Sequence, residues 1–217
     1  MSIDIRDRII CTSFSSVSTD KEIRASLALS SEQSFKGSLI DLNSYDELIE
    51  DVAFHKNVNV AINFPYQGLS NSVVLATAGA LSDSYYINDF YITLNKFDVS
   101  KSRTSDIRAY IKDLNNSCSK NINFTLELSW LKSLESVDKI CSILEPYERH
   151  SLSISTYCKK PDKLSDILAI GKHLSSNGSC KYSYFGALPA KKEGIIELLS
   201  GGFLYCGVPK QFLGSVI

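Results

Sequence analysis

Two adjacent segments between residues 58 and 81 decide the fold. Val-Asn-Val-Ala-Ile-Asn-Phe at residues 58–64 is short, apolar and rich in β-branched residues, which indicates a buried strand. Ser-Asn-Ser-Val-Val-Leu-Ala-Thr-Ala-Gly-Ala-Leu at residues 70–81 begins with a capping residue and continues with small side chains, which predicts a closely packed helix. A buried strand followed by a helix is the repeating unit of parallel sheets.

The same unit recurs along the whole chain. We predict eight strands, which start about 20–34 residues apart, at residues 9–14, 38–42, 58–64, 89–95, 123–129, 151–156, 181–186 and 203–207. The segments between them carry apolar residues at helical spacing. The first of these segments opens with Thr19 and, three residues later, Glu22, which is the pattern of a capping box.

Eight strand–helix units are typical of a closed (β/α)8 barrel, and we predict a single TIM-barrel domain over residues 1–217. The alternative is a doubly wound open sheet, which usually has five or six strands and often a glycine-rich loop after the first strand. Residues 13–19 contain no glycine, which favours the barrel. In a barrel, the chemistry is expected at the carboxyl ends of the strands.

The composition excludes several classes of protein. The 217 residues carry 23 basic and 24 acidic side chains, so a net charge of −1 gives no basic field for nucleic acid. We find no signal peptide and no apolar run of membrane-spanning length. The six cysteines form no Cys-x-x-Cys pair and the three histidines are scattered, so we expect reduced thiols, no metal site, no cofactor and a cytoplasmic location.

The order of motifs resembles the deoxyribose-phosphate aldolase family of Schiff-base aldolases. Six segments carry the resemblance: Ile-Cys-Thr-Ser-Phe at 10–14, Asn-Phe-Pro-Tyr-Gln-Gly at 63–68, Phe-Tyr-Ile-Thr-Leu-Asn at 90–95, Phe-Thr-Leu-Glu at 124–127, Leu-Ser-Ile-Ser-Thr at 152–156 and Cys-Lys-Tyr-Ser at 180–183. The resemblance implies an aldolase-type barrel and a small aldehyde or sugar phosphate as ligand, and we allow for a homodimer.

The resemblance also has clear departures. The family's imine-forming lysine lies in Val-Lys-Thr-Ser-Thr, and that position is Ser153 here. The family's proton-relay aspartate corresponds to Tyr91. Tyr157, Tyr184 and Phe185 stand where the family has glycines that approach a phosphate, and a side chain at such a place blocks the oxygens.

The residues that remain define the predicted site. The resemblance implies Lys181 as the surviving amine, with Glu127 and Asn95 placing water and substrate hydroxyls. It implies substrate contacts from the small residues Ser153, Ser155, Thr156, Ser183 and Gly207. Imine formation needs a lysine that is neutral near pH 7, so Lys181 would have to be buried. Alternatively, Lys181 forms an ion pair with Glu127, and Lys159 or Lys160 supplies the amine.

Two functions therefore follow from the sequence. The first is a diverged carbon–carbon lyase that acts on a small aldehyde or sugar phosphate through an imine at Lys181. The second is a catalytically inactive aldolase-fold relative that serves as a binding or assembly module. The family resemblance favours the first, whereas Ser153 and the aromatic residues at the phosphate site favour the second.

Overall fold

The structure is a computed structural model, and it describes most of the chain. The described residues are 4–14, 16, 18–55, 57–64, 66–95, 104–131, 133–157, 163–177, 181–186 and 191–216. All eight predicted strands fall within them.

Eight parallel strands form a closed barrel in which each strand pairs with the next along the chain. They are β1 (Ile9–Ser13), β2 (Gly37–Asp41), β3 (Val58–Ile62), β4 (Ile87–Thr93), β5 (Asn121–Glu127), β6 (His150–Ser155), β7 (Tyr182–Phe185) and β8 (Cys206–Pro209). Strand β1 closes the ring by pairing with β8, Ile9 opposite Cys206. The predicted (β/α)8 barrel is confirmed, and the open sheet is excluded.

Helices surround the barrel on its outer face. Those described are α1 (Asp20–Glu32), α2 (Leu42–Glu47), α3 (Ile49–Val52), α4 (Asn71–Ala80), α5 (Thr104–Ser117), α6 (Leu134–Leu144), α7 (Leu164–Asn177), α8 (Lys192–Ser200) and α9 (Lys210–Leu213). The predicted capping box is present, since the Thr19 hydroxyl accepts from the Glu22 backbone N–H and the Glu22 carboxylate accepts from the Thr19 N–H. This arrangement satisfies two donors that helix α1 leaves free at its start.

The apolar side chains form two separate cores. The larger lies between strands and helices and includes Phe124, Leu152 and Ile154, which point outward from β5 and β6. The smaller lies inside the barrel and consists of Ile10, Phe14, Leu39, Ala61, Phe64, Tyr91 and Phe185. Because side chains alternate along a strand, the neighbours of the outward residues face inward. The interior on the side of β5 and β6 is therefore lined by polar residues.

The strand boundaries differ from the predicted ones by up to three residues, and the differences at β7 and β8 bear on the site. Strand β7 begins at Tyr182, so Lys181 lies before the strand. Strand β8 comprises Cys206–Pro209, whereas residues 203–205, which we expected in the strand, precede it. Phe203 nevertheless packs edge-on against Tyr182 at 5.0 Å between ring centroids. The apolar character of residues 203–205 was therefore not enough to predict whether they lie in the strand or pack beside it.

Four cysteines belong to the described residues, and all are buried free thiols: Cys11, Cys118, Cys141 and Cys206. Burial raises the pKa of Cys11 to about 11 and that of Cys206 to about 12, so both remain protonated near neutral pH. Cys158 and Cys180 lie outside the described residues. Among the helices that the structure describes, none has the length and apolar character needed to cross a membrane.

A buried histidine at the start of β6 makes stability depend on pH. The His150 ring packs against Phe124 and Tyr147, each at 5.3 Å between centroids. Burial lowers the pKa of His150 from 6.5 to about 4. Between these values the unfolded state binds the proton and the folded state does not, so stability falls as the pH drops from about 6.5 to about 4.

We expect this residue to contribute roughly 2–3 kcal/mol to the loss of unfolding free energy over that interval. Urea denaturation of the wild type and of His150→Phe at several pH values measures the contribution, because the variant cannot titrate there. The same change at the more exposed His173 provides the matched control. Parallel pH profiles for the wild type and His150→Phe would contradict the prediction.

Candidate functional site

The carboxyl ends of β2 and β3 carry polar residues that hold loops. The Asp41 carboxylate accepts hydrogen bonds from the backbone N–H of Ser44 at 2.9 Å and from its hydroxyl at 2.5 Å, which caps helix α2. Asn63 has a positive φ of 58°. Its amide donates to the Thr93 carbonyl at 3.1 Å and its oxygen accepts from the backbone of Gln67 and Leu69. Hydrogen bonds within the fold thus occupy both polar side chains.

Three of the predicted site residues lie in one row across the sheet. The register pairs Glu127 with Ser155, Ser155 with Phe185, and Phe185 with Gly207. Glu127 is 1% exposed and Ser155 is 2% exposed. Phe185 lies between the polar pair and the glycine, and a Cβ atom at Gly207 would clash with its ring. The phenyl ring therefore occupies the space beside this glycine.

An aromatic cluster fills the carboxyl end of the barrel; we define it as Phe14, Phe64, Tyr157 and Phe185. Phe14, Phe64 and Tyr157 contact one another edge to face, with centroids 5.4–5.6 Å apart. Phe185 lies 6.0 Å from Phe64. The Tyr157 hydroxyl hydrogen-bonds with that of Thr12 at 2.7 Å, which fixes the ring over the barrel. Edge-to-face contacts between aromatic rings are favourable, so they stabilise the aromatic cluster at this end of the barrel.

Below the aromatic cluster, a row of hydroxyls crosses four strands. The register pairs Thr93 with Thr125, Thr125 with Ser153, and Ser153 with Ser183. All four are at most 4% exposed. The hydroxyls of Thr93, Thr125 and Ser153 have no hydrogen-bond partner among the described residues. Ser153 therefore has a second serine beside it, and no amine on the adjacent strand.

The expected position of Lys181 at the mouth of the barrel is wrong. Lys181 is exposed and precedes β7, so it lies at the amino end of the strand, opposite the end that bears Glu127. There it lines a cavity of about 390 Å³. Its ammonium group forms neither an ion pair nor a hydrogen bond with the described residues, so the alternative pair with Glu127 is not formed either.

The register explains why the sequence motif was misplaced. The family motif Val-Lys-Ala-Ser-Gly-Gly can also be set on residues 182–187, two positions later. Ser183 then takes the place of the lysine, Phe185 that of the serine and Gly186 that of the first glycine. A shift of two residues keeps the same face of the strand. The match of Gly186 to a glycine was the signal in the sequence that favoured this placement.

The other predicted site residues lie near the carboxyl end. Thr156 follows β6, and its hydroxyl hydrogen-bonds with that of Tyr184 at 2.8 Å. Asn95 is half-buried, two residues after β4. Lys159 and Lys160 lie outside the described residues. No group of three metal-ligating side chains occurs in the described part of the chain.

Comparison by sequence finds no match to a protein-family model and no similar curated protein. Comparison by structure finds an aldolase, QR15, with a TM-score of 0.80 and 19% identity over 95% of this chain and 92% of that one. The deoxyribose phosphate aldolase from Aeropyrum pernix, described as a unique tetramer, gives 0.76 and 11% identity over 98% and 89%.

A related barrel gives a lower score. The 3-dehydroquinate dehydratase from Geobacillus kaustophilus HTA426 has a TM-score of 0.59 and 11% identity, over 95% of this chain and 89% of that one. The two aldolases thus fit better than a barrel enzyme with another activity, and the resemblance stated from sequence motifs is confirmed for the fold. The chain has the aldolase-type (β/α)8 barrel that deoxyribose-phosphate aldolases share.

Proposed function

We propose that this protein is a catalytically inactive relative of the Schiff-base aldolases, which keeps the barrel as a binding module. One observation carries the proposal: on all eight strands, no residue that faces the barrel interior is a lysine. The two neighbouring positions are Ser153 and Ser183. A carbonyl forms an imine only with a primary amine, and a serine hydroxyl cannot replace it.

The packing of the carboxyl end supports the same proposal. The aromatic cluster fills the space through which a sugar phosphate would enter a barrel of this type. Within this cluster Tyr157 packs against Phe14 and Phe64, and its hydroxyl is hydrogen-bonded to that of Thr12. Glu127 is retained at the end of β5, but no residue of the eight strands supplies the amine whose imine it would protonate or hydrate.

Borohydride trapping tests the proposal. The protein is incubated with acetaldehyde or deoxyribose 5-phosphate, reduced with borohydride and mapped by mass spectrometry. We expect Lys181 to be labelled no more than another exposed lysine such as Lys139, and we expect no release of acetaldehyde from deoxyribose 5-phosphate. The Lys181→Met variant should give the same result as the wild type.

A single stoichiometric adduct would contradict the proposal. An adduct at Lys181 that disappears in the Lys181→Met variant would support the hypothesis that the protein is a lyase with Lys181 as its amine. At Lys159 or Lys160 it would identify the amine that the sequence analysis offered as an alternative.

We also propose a cytoplasmic location and a small-molecule ligand for this module. The four buried free thiols support the location, because disulfides are rare in reducing compartments. A homodimer stays a prediction, and light scattering of the purified protein measures the mass directly.

A further inference from the structure

The cavity at the amino end of the barrel has the size and lining of a ligand site. Its volume of about 390 Å³ falls within the range of about 300–1,000 Å³ usual for small-molecule pockets. It extends from the exposed Lys181 to Tyr91 and Ser183, which are both 2% exposed. The cavity therefore enters the barrel from the end opposite the aromatic cluster.

Three polar groups of buried residues face this cavity and have no hydrogen-bond partner in the part of the chain that the structure describes. The Asn123 side chain is 8% exposed; its oxygen accepts from the Ser151 hydroxyl, while its NH2 group has no partner among the described residues. The hydroxyls of Tyr91 and Ser183 also bind none of the described residues. A buried polar group left without a hydrogen bond costs roughly 1–3 kcal/mol, so these three require water or a ligand.

The hydroxyl row continues this polar surface deeper into the barrel. Ser183 borders the cavity, and Ser153 and Thr125 follow it across β6 and β5. The hydroxyls of Ser153 and Thr125 have no partner in the described structure either. Since a hydroxyl both donates and accepts, its best complement is a group that also does both. Water and the hydroxyls of a polyol meet this requirement.

The charges around the cavity favour an uncharged ligand. The Arg149 guanidinium is bound to backbone carbonyls, with 2.6 Å to the Ser119 oxygen, and is not free to bind an anion. The remaining charged residues of the lining are the lysines Lys36 and Lys181 and the acidic residues Asp89 and Glu148. Counted with Arg149, the lining has three positive and two negative side chains, so the charges nearly balance and the cavity has no strongly positive field to attract an anion.

An exposed aromatic surface adjoins the cavity. Asn88 lines the cavity and also a neighbouring groove that contains Phe54, Tyr85 and Tyr86. Phe54 is 86% exposed and Tyr85 is 93% exposed. Contiguous exposed apolar side chains are one of the features of ligand-binding grooves, and these three line one groove. The apolar face of a sugar ring is a suitable partner for such rings, whereas a small inorganic anion is not.

We propose that the amino end of this barrel binds a small, uncharged, polyhydroxylated ligand, a monosaccharide or a linear polyol. Ser183 and Asn123 contact its hydroxyls at the bottom of the cavity, and Asp89 accepts a hydrogen bond near the entrance. This inference specifies the ligand of the proposed binding module. It depends on the proposed function in one respect, namely that the protein carries out no aldol reaction on the ligand.

Calorimetric titration with ribitol, D-ribose and glycerol tests this proposal, with inorganic phosphate and citrate as anionic probes. We expect saturable binding of at least one polyol and none of the anions. Ser183→Val and Asn123→Leu should each weaken binding about tenfold, which corresponds to the loss of one hydrogen bond. Asn116→Leu, on the exposed surface of α5, is the matched control and should leave binding unchanged.

Several outcomes would overturn the proposal. These are no saturable binding of any of the three polyols, competition by phosphate or citrate, or equal affinity in the wild type and both cavity variants. Circular dichroism checks that each variant folds, and a ribitol-soaked crystal with only water at Ser183 gives an independent refutation. The borohydride experiment is unaffected by these results, so the binding site and the absence of imine chemistry can fail separately.

Discussion

Phe185→Ala is expected to lower the free energy of unfolding by about 3–5 kcal/mol, the range typical of a phenylalanine removed from a well-packed core. Phe185 is fully buried and contacts Phe64 and Tyr91, with centroids 6.0 and 5.0 Å away. It also occupies the space beside Gly207, where no side chain can move in to replace it. The substitution leaves a cavity in the middle of the barrel.

Urea denaturation monitored by circular dichroism measures this effect. Phe54→Ala is the matched control, because the same substitution at a side chain that is 86% exposed should change stability by less than about 0.5 kcal/mol. A loss below about 1 kcal/mol in Phe185→Ala would mean that the ring does not fill the barrel. The packing of the aromatic cluster would then no longer support the proposal that the protein is catalytically inactive.

Ser153→Lys is expected to produce the second large effect, a stability that rises steeply with pH. Ser153 is fully buried, and its neighbours Thr125 and Ser183 carry no charge. A lysine in such a place has a pKa well below its usual value of about 10.4. Between the two values the unfolded state binds more protons than the folded state, so the folded state gains stability as the pH increases.

With a folded-state pKa of about 7, the variant should be roughly 4–5 kcal/mol more stable at pH 10.5 than at pH 7, relative to Ser153→Met. Methionine has a similar size and no charge, so the comparison isolates titration from packing. The neutral amine should also form an imine with acetaldehyde, which reaches it through the cavity that Ser183 borders. Borohydride then traps an adduct at position 153 that neither the wild type nor Ser153→Met gives.

A flat pH profile for Ser153→Lys, with no adduct, would mean that the new amine points away from the interior. The register of β5, β6 and β7 would then be incorrect, and with it the pairing of Ser153 and Ser183. If the variant does not fold at pH 7, the measurement at pH 9–10 remains informative, because more of the lysine is neutral there.

The alternation of strands and helices was sufficient to predict the barrel. Apolar segments such as 58–64, each followed by a capped amphipathic segment, leave few ways to bury every strand on both faces. The capping box at Thr19 and Glu22 was predictable for the same reason, since both partners lie within one turn of the chain. Each of these features depends on residues that are close in sequence.

The candidate site was less predictable. The sequence identified Ser153 as a lost amine, because one substitution in a motif is visible without coordinates. It did not identify Ser183 as its neighbour, and it placed Lys181 at the wrong end of the barrel. A motif moved by two residues still presents the same face of a strand, so alternation cannot detect the error.

The sequence by itself determined that this protein is an eight-stranded barrel related in pattern to the aldolases and lacking one of their amines. Only the tertiary structure decided that both neighbouring positions are serines, that Phe185 fills the carboxyl end beside Gly207, and that the unpartnered polar groups open toward the amino end. The physical reason is that these features depend on the register between strands far apart in the chain. Hydrogen bonds between the strands set that register, and no local pattern of residues records it.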